Sequence, residues 1–206
     1  MERSEYLSVV VGLIVGLSLT RILMTIGASV PKQKEDKWSI THSLLLASAF
    51  ILQVKYWWDL YDAKDVISST DFWGYMMILS VPFLMFLATT VLTPELNREV
   101  SGEITKHIDY QKFLTSRRRS FYGFVMAVLL MMIAQGVFIW EDFFTNTIAY
   151  AIRGGVLLIV LFFHWIKNDQ IQFILALFLL VALVGYTCMN DAGGIGIPTL
   201  KIPVSS

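Results

Sequence analysis

The 206-residue chain has a single cysteine, Cys188, no Asn-x-Ser/Thr sequon and only 16% charged residues. One thiol excludes a disulfide within the chain and any paired CxxC metal motif. The charge deficit argues against an ordinary soluble surface, since soluble domains carry about a quarter charged residues. Sixteen basic residues balance sixteen acidic ones, so no net positive field is available to a nucleic acid and no nucleic-acid partner is expected. Enzyme signatures are missing as well: there is no GxxxxGK[ST], HExxH or GxSxG, and no TVGYG potassium filter. Gly193-Gly194-Ile195-Gly196, followed by Pro198 and Pro203, belongs to an irregular tail over 190–206 rather than to a nucleotide loop. These absences predict no enzymatic activity, no cofactor and no bound metal.

What the chain does have is apolar length. Hydrophobic residues make up 56% and aromatics 14%. The best-bounded run, Gln170 to Met189, is broken only by Gln170, Gln172 and Thr187. About 20 residues rising 1.5 Å each match a hydrocarbon core roughly 30 Å thick. Six such runs predict an all-α polytopic membrane bundle with spans at about 6–28, 38–60, 72–94, 120–141, 146–166 and 170–189, forming one domain over 1–189. The acidic start of the chain (Met-Glu-Arg-Ser-Glu) fits a retained first span better than a cleaved signal peptide. A plasma membrane is expected, the bacterial inner membrane in particular.

Orientation follows from Lys and Arg. The first, third and fifth connections hold ten of them (Lys32, Lys34, Lys37, Arg98, Lys106, Lys112, Arg117, Arg118, Arg119 and Lys167), against three on the other side (Arg3, Lys64 and Lys201). The excess predicts cytoplasmic odd connections and both termini outside. All six tryptophans (38, 57, 58, 73, 140 and 165) fall near predicted span ends, as interfacial anchors do. The long connection 95–119 is basic, and its last part has a weak apolar side at Ile104, Ile108 and Phe113 that suits a short surface helix. Arg117, Arg118 and Arg119 abut one another at a membrane boundary, so they read as topology anchors and as a contact for anionic lipid or a cytoplasmic protein.

Polar residues inside the runs are the candidates for function, because they are costly there and usually face protein or water. In span one, Ser18, Arg21 and Thr25 share a face, while Ser8, Gly12, Gly16 and Thr20 form a small-residue seam through which helices, including those of a second copy, can approach closely. Arg21 either snorkels to the interface, lines an anion path or binds a lipid phosphate. Lys55, Asp59 and Asp62 stand at i, i+4 and i+7, which suits a structural ion pair or an outward-facing proton or cation site centred on Asp59. Arg153 and His164 are eleven residues apart, about 20° of helical rotation, and so share a face. His42 and Gln53 repeat that spacing in reverse on span two, so the two helices could line a polar seam. Lone intramembrane histidines are more often packed residues than relays or haem ligands. Gln135 and Asp142 share a face, with Glu141 adjacent, and Arg153 is expected to pair with Asp59 or Glu141 in an outer vestibule. Pro82 should free a backbone carbonyl near Ile78 and kink its helix.

The pattern predicts a small channel- or carrier-like transporter of ions or small solutes, possible as a homo-oligomer. The competing expectation is a non-transporting sensor or assembly subunit docking a partner or lipid through 95–119.

Overall fold

The computed structural model describes residues 3–29, 39–62, 67, 69–94, 110–139, 147–164 and 168–193. They form six helices: α1 (Arg3–Ser29), α2 (Ile40–Asp62), α3 (Phe72–Leu92), α4 (Tyr110–Phe138), α5 (Thr147–His164) and α6 (Asp169–Gly193). Among the described residues there is no strand. Three of the helices, α1, α3 and α4, are long and apolar enough to cross a membrane, and α6 adds a shorter apolar stretch over Asp169–Gly185.

Helical periodicity selects the inward faces. On α1 the buried residues are Leu7, Val11, Val15, Ser18, Ile22 and Thr25, three or four apart along one stripe. α2 sits at the centre, packed against α1, α3, α4 and α6; α3 lies between α1 and α4, and α5 rests on α4. The apolar core forms two layers. One joins Leu7 and Val11 near the start of α1 to Leu60 near the end of α2, Ile78 near the start of α3 and Val128 on α4. The other joins Ile22, Leu45, Leu92, Phe121, Val160 and Leu175, one from each of the six helices. Each layer draws on opposite ends of successive helices, so neighbours in sequence run antiparallel.

Local chemistry sets the start of α3. Asp71, in extended backbone, accepts from the Gly74 N–H at 2.8 Å and caps the helix. Pro82 lies inside α3 and is buried. It cannot donate to the carbonyl four residues back; the Tyr56 hydroxyl of α2 donates to that Ile78 carbonyl at 2.9 Å. Gln135 Nε2 of α4 donates to the neighbouring Met77 carbonyl at 2.7 Å, and the Ser80 hydroxyl donates to the same oxygen at 2.6 Å. The α2 hydroxyl thus replaces the helix bond that the proline cannot make, and α4 ties to the carbonyl beside it.

α4 begins ten residues before the predicted span at 120. Hydropathy falls at the arginines, but the helix continues because its first turns are held by α2. Tyr110, Leu114 and Arg118 face inward at four-residue spacing, and the Ser39 hydroxyl donates to Gln111 Oε1 at 2.7 Å. Residues 110–119 of the predicted basic connection are therefore part of α4, and residues 95–109 lie outside the described residues, as do residues 194–206 of the predicted tail.

Candidate functional site

A cavity of about 190 Å³ opens between α2, α4, α5 and α6, with Met85 and Ala88 of α3 on its wall. Its lining is mostly aliphatic and aromatic, including Leu52, Phe121, Leu129, Val156 and Leu183. Four of the residues singled out from sequence meet there: Gln53, Lys55 and Asp59 from α2, and Arg153 from α5. The i, i+4 spacing lets Lys55 Nζ reach Asp59 Oδ1 as an ion pair. Lys55 is 9% exposed and Asp59 35%, so the ammonium is the more enclosed member and the pair offsets part of its desolvation.

Gln53, 2% exposed, is the most enclosed polar group on this wall. Its Nε2 donates to the Thr89 hydroxyl at 2.7 Å, and that hydroxyl donates to the Met85 carbonyl at 2.9 Å. Because the Thr89 proton is committed to Met85, the amide must present nitrogen to Thr89, which fixes its orientation. Its Oε1 is left buried with no hydrogen-bond partner. A buried orphan acceptor costs free energy unless a donor reaches it.

The remaining candidates lie elsewhere. His42 is 2% exposed at the opposite end of α2. Its Nε2 donates to the Leu92 carbonyl at 2.8 Å, and its ring packs against Tyr110 and Phe113 at centroid distances of 5.1 and 6.2 Å. Burial, a fixed partner and two aromatic neighbours make it a tie between α2, α3 and α4. Gln135 is engaged with Met77 and lies 3.5 Å from the Tyr56 hydroxyl. Arg21 is exposed, with its guanidinium 5.5 Å from the centre of the Phe86 ring. Ser18 and Thr25 turn inward, so the three residues of that predicted face divide at its edge. His164 closes α5 but its side chain, like Glu141 and Asp142, lies outside the described residues.

Along the small-residue seam, Ser8 and Gly12 are half-buried, and the Trp57 indole lies 3.6 Å from where a Gly12 Cβ would sit. Gly16 and Thr20 are exposed; the Thr20 hydroxyl donates to the Gly16 carbonyl at 2.8 Å, and the space beside Gly16 is open. Of the three arginines, Arg117 and Arg119 are exposed whereas Arg118 is buried. Among the described residues no three His, Cys, Asp or Glu side chains gather as metal ligands.

Sequence reading missed Tyr56 and Tyr122, and it gave no partner to Thr89 or to Gln172, whose Oε1 accepts from the Tyr122 hydroxyl at 2.6 Å and joins α4 to α6. The signal for Tyr56 was available: a proline-freed carbonyl needs a donor at the same depth on a neighbouring helix. No family model, curated protein or solved structure matches the chain.

Proposed function

We propose that the chain is a six-span plasma-membrane protein, of the bacterial inner membrane type, that works as a carrier-like transporter of small solutes. In this reading both termini lie outside. The antiparallel order of the helices and the ten-to-three excess of Lys and Arg at one end support it. So does the outer surface, where Leu13, Leu17, Leu130, Leu158, Ile174 and Val181 are exposed; a continuous apolar exterior suits lipid better than water. A second copy could join along Gly16 and Thr20, where α1 is open.

The observation that carries the transport reading is the cavity. An engineered hole of about 150 Å³ lined by apolar residues stays dry and binds benzene. A space of about 190 Å³ has room for one ring and a polar substituent. Gln53 lines that space and its Oε1 is buried without a partner, so a solute that reached it would need an O–H or N–H donor, and the Lys55–Asp59 pair beside it supplies a carboxylate for a cationic one. The solute class is therefore a small apolar molecule with a donor head, such as an arylalkylammonium. Ion conduction is less well supported, because Arg21, His42 and Gln135 are held outside the cavity.

Uptake into proteoliposomes tests this. Phenethylammonium should accumulate above empty vesicles with saturation, and benzoate, which lacks a donor when ionised, should not. Absence of saturable uptake of either, with no conductance under an imposed potential, would remove transport. The alternative, partner docking, draws on exposed Arg117 and Arg119 at the start of α4, and a pull-down with and without residues 95–109 reads it out.

A further inference from the structure

The three consecutive arginines do not act as a set. Arg117 and Arg119 point outward, whereas Arg118 is 6% exposed and its Nε is buried with no hydrogen-bond partner among the described residues. An arginine cannot shed its charge to escape burial. A guanidinium enclosed in this way needs an anion. The carboxylate described at this end of the bundle, Asp169 in the first turn of α6, is exposed and makes no ion pair with it.

The surroundings of Arg118 fit a phosphate. One turn further along α4, Tyr122 donates to Gln172 at 2.6 Å, which ties α4 to the start of α6 across a side-chain-length gap. Because the two helices run in the same direction, Arg118 and Asn168 lie at the same level, each one turn before that bond. The positive end of the α6 dipole is therefore at the level of the guanidinium. Arg117 and Arg119 add positive field on either side. Depth points to the same ligand. Residues 120–138 hold nineteen uncharged positions, about 28 Å of helix, close to a hydrocarbon core of roughly 30 Å. Arg118 then falls at the level of the lipid phosphates.

We propose that Arg118 anchors a binding site for the phosphate of an anionic phospholipid, seated between the start of α4 and the start of α6. The site rests on the reading that α4 crosses a bilayer, and it is separate from the cavity beside Gln53. Planar bidentate donation to phosphate oxygens would satisfy the buried Nε and neutralise the charge together.

The full chain in nanodiscs of phosphatidylcholine, with and without phosphatidylglycerol, tests this by thermal unfolding. Phosphatidylglycerol should raise the wild-type midpoint by several degrees. Arg118→Met should unfold in phosphatidylcholine at or above the wild-type midpoint and show no rise with phosphatidylglycerol. The double variant Arg117→Gln/Arg119→Gln should keep at least half of the rise. A full rise in Arg118→Met, or its loss only in the double variant, would overturn the proposal in favour of diffuse surface charge. If Arg118→Met does not fold, Arg118→Lys replaces it: an ammonium lacks the planar fork and the Nε donor of a guanidinium, so the rise should shrink, and an unchanged rise overturns the site. Inorganic phosphate reproducing the rise in phosphatidylcholine discs would transfer the site to a soluble anion. Whether α4 crosses is read separately, from the labelling of Arg117→Cys and Phe138→Cys by an impermeant reagent from each side in a Cys188→Ala background. Labelling of both from one side would remove the depth argument and the proposal with it.

Discussion

Replacing Tyr56 by Phe removes one hydroxyl, which donates to Ile78 and accepts at 3.5 Å from Gln135 Nε2, while leaving the ring in place. The Tyr56 hydroxyl donates to the Ile78 carbonyl at 2.9 Å, and Tyr56 is 7% exposed, so water cannot readily substitute. Leaving a buried carbonyl without its donor costs about 1–3 kcal/mol. Interhelical bonds in a membrane protein average about 0.6 and reach about 1.7 kcal/mol, because the unfolded state in lipid also finds partners. The Ile78 carbonyl lacks its intrahelical donor because position 82 is proline, so the loss should fall in the upper part of that range, about 1–2 kcal/mol. The decisive measurement is a double-mutant cycle. Pro82→Ala restores an N–H four residues on, and in that background Tyr56→Phe should cost no more than about 0.5 kcal/mol. Reversible unfolding by denaturing detergent in mixed micelles would give all four stabilities. Equal costs in both backgrounds would show that the hydroxyl is not replacing the missing helix bond.

Other substitutions separate packing from function. Asp71→Ala should lower stability by about 1 kcal/mol through loss of the α3 cap, and Gly74→Ala should cost more, since a Cβ there runs into the Thr70 methyl and lies 3.2 Å from Asp71 Oδ1. Gly154→Ala and Gly155→Ala meet no atom within 4 Å and should each stabilise α5 by up to about 1 kcal/mol; the same unfolding titration reads both signs. Gln53→Leu should reduce phenethylammonium uptake at least tenfold while detergent-solubilised protein remains monodisperse. Arg21→Ala, by contrast, should leave uptake unchanged, because that side chain lies over Phe86 outside the cavity.

The all-helical nature of the described residues was legible because apolar runs of this length have few ways to satisfy their backbone in lipid. The start of α4 was not. Hydropathy stops at Arg119, whereas the helix is held as far back as Tyr110 by contacts with α2 that no local pattern encodes. For the site, heptad arithmetic brought Lys55 and Asp59 together correctly, since both lie on one helix. It could not settle which helices face each other. The spacing of His42 with Gln53 suggested a common polar seam, yet eleven residues of helix separate them by about 16 Å along the axis. That distance places Gln53 at the cavity and His42 among Tyr110, Phe113 and Leu92. Arg21 shows a second limit: a 100° step assigns a face only coarsely, and at the edge of a stripe a long side chain turns outward while Ser18 and Thr25 turn in.

The proline in α3 also has a consequence for the order in which the protein is made. When α3 leaves the ribosome, its Ile78 carbonyl already lacks the helix donor that Pro82 cannot supply, and a hydrocarbon surrounding would supply none. α2 precedes it and brings the Tyr56 hydroxyl, so the replacement donor is made before the helix that needs it. If α3 inserts into a bilayer, the pair α2–α3 can close this bond without waiting for α4, and Tyr56→Phe should lengthen the retention by insertion chaperones of a chain stopped after α3.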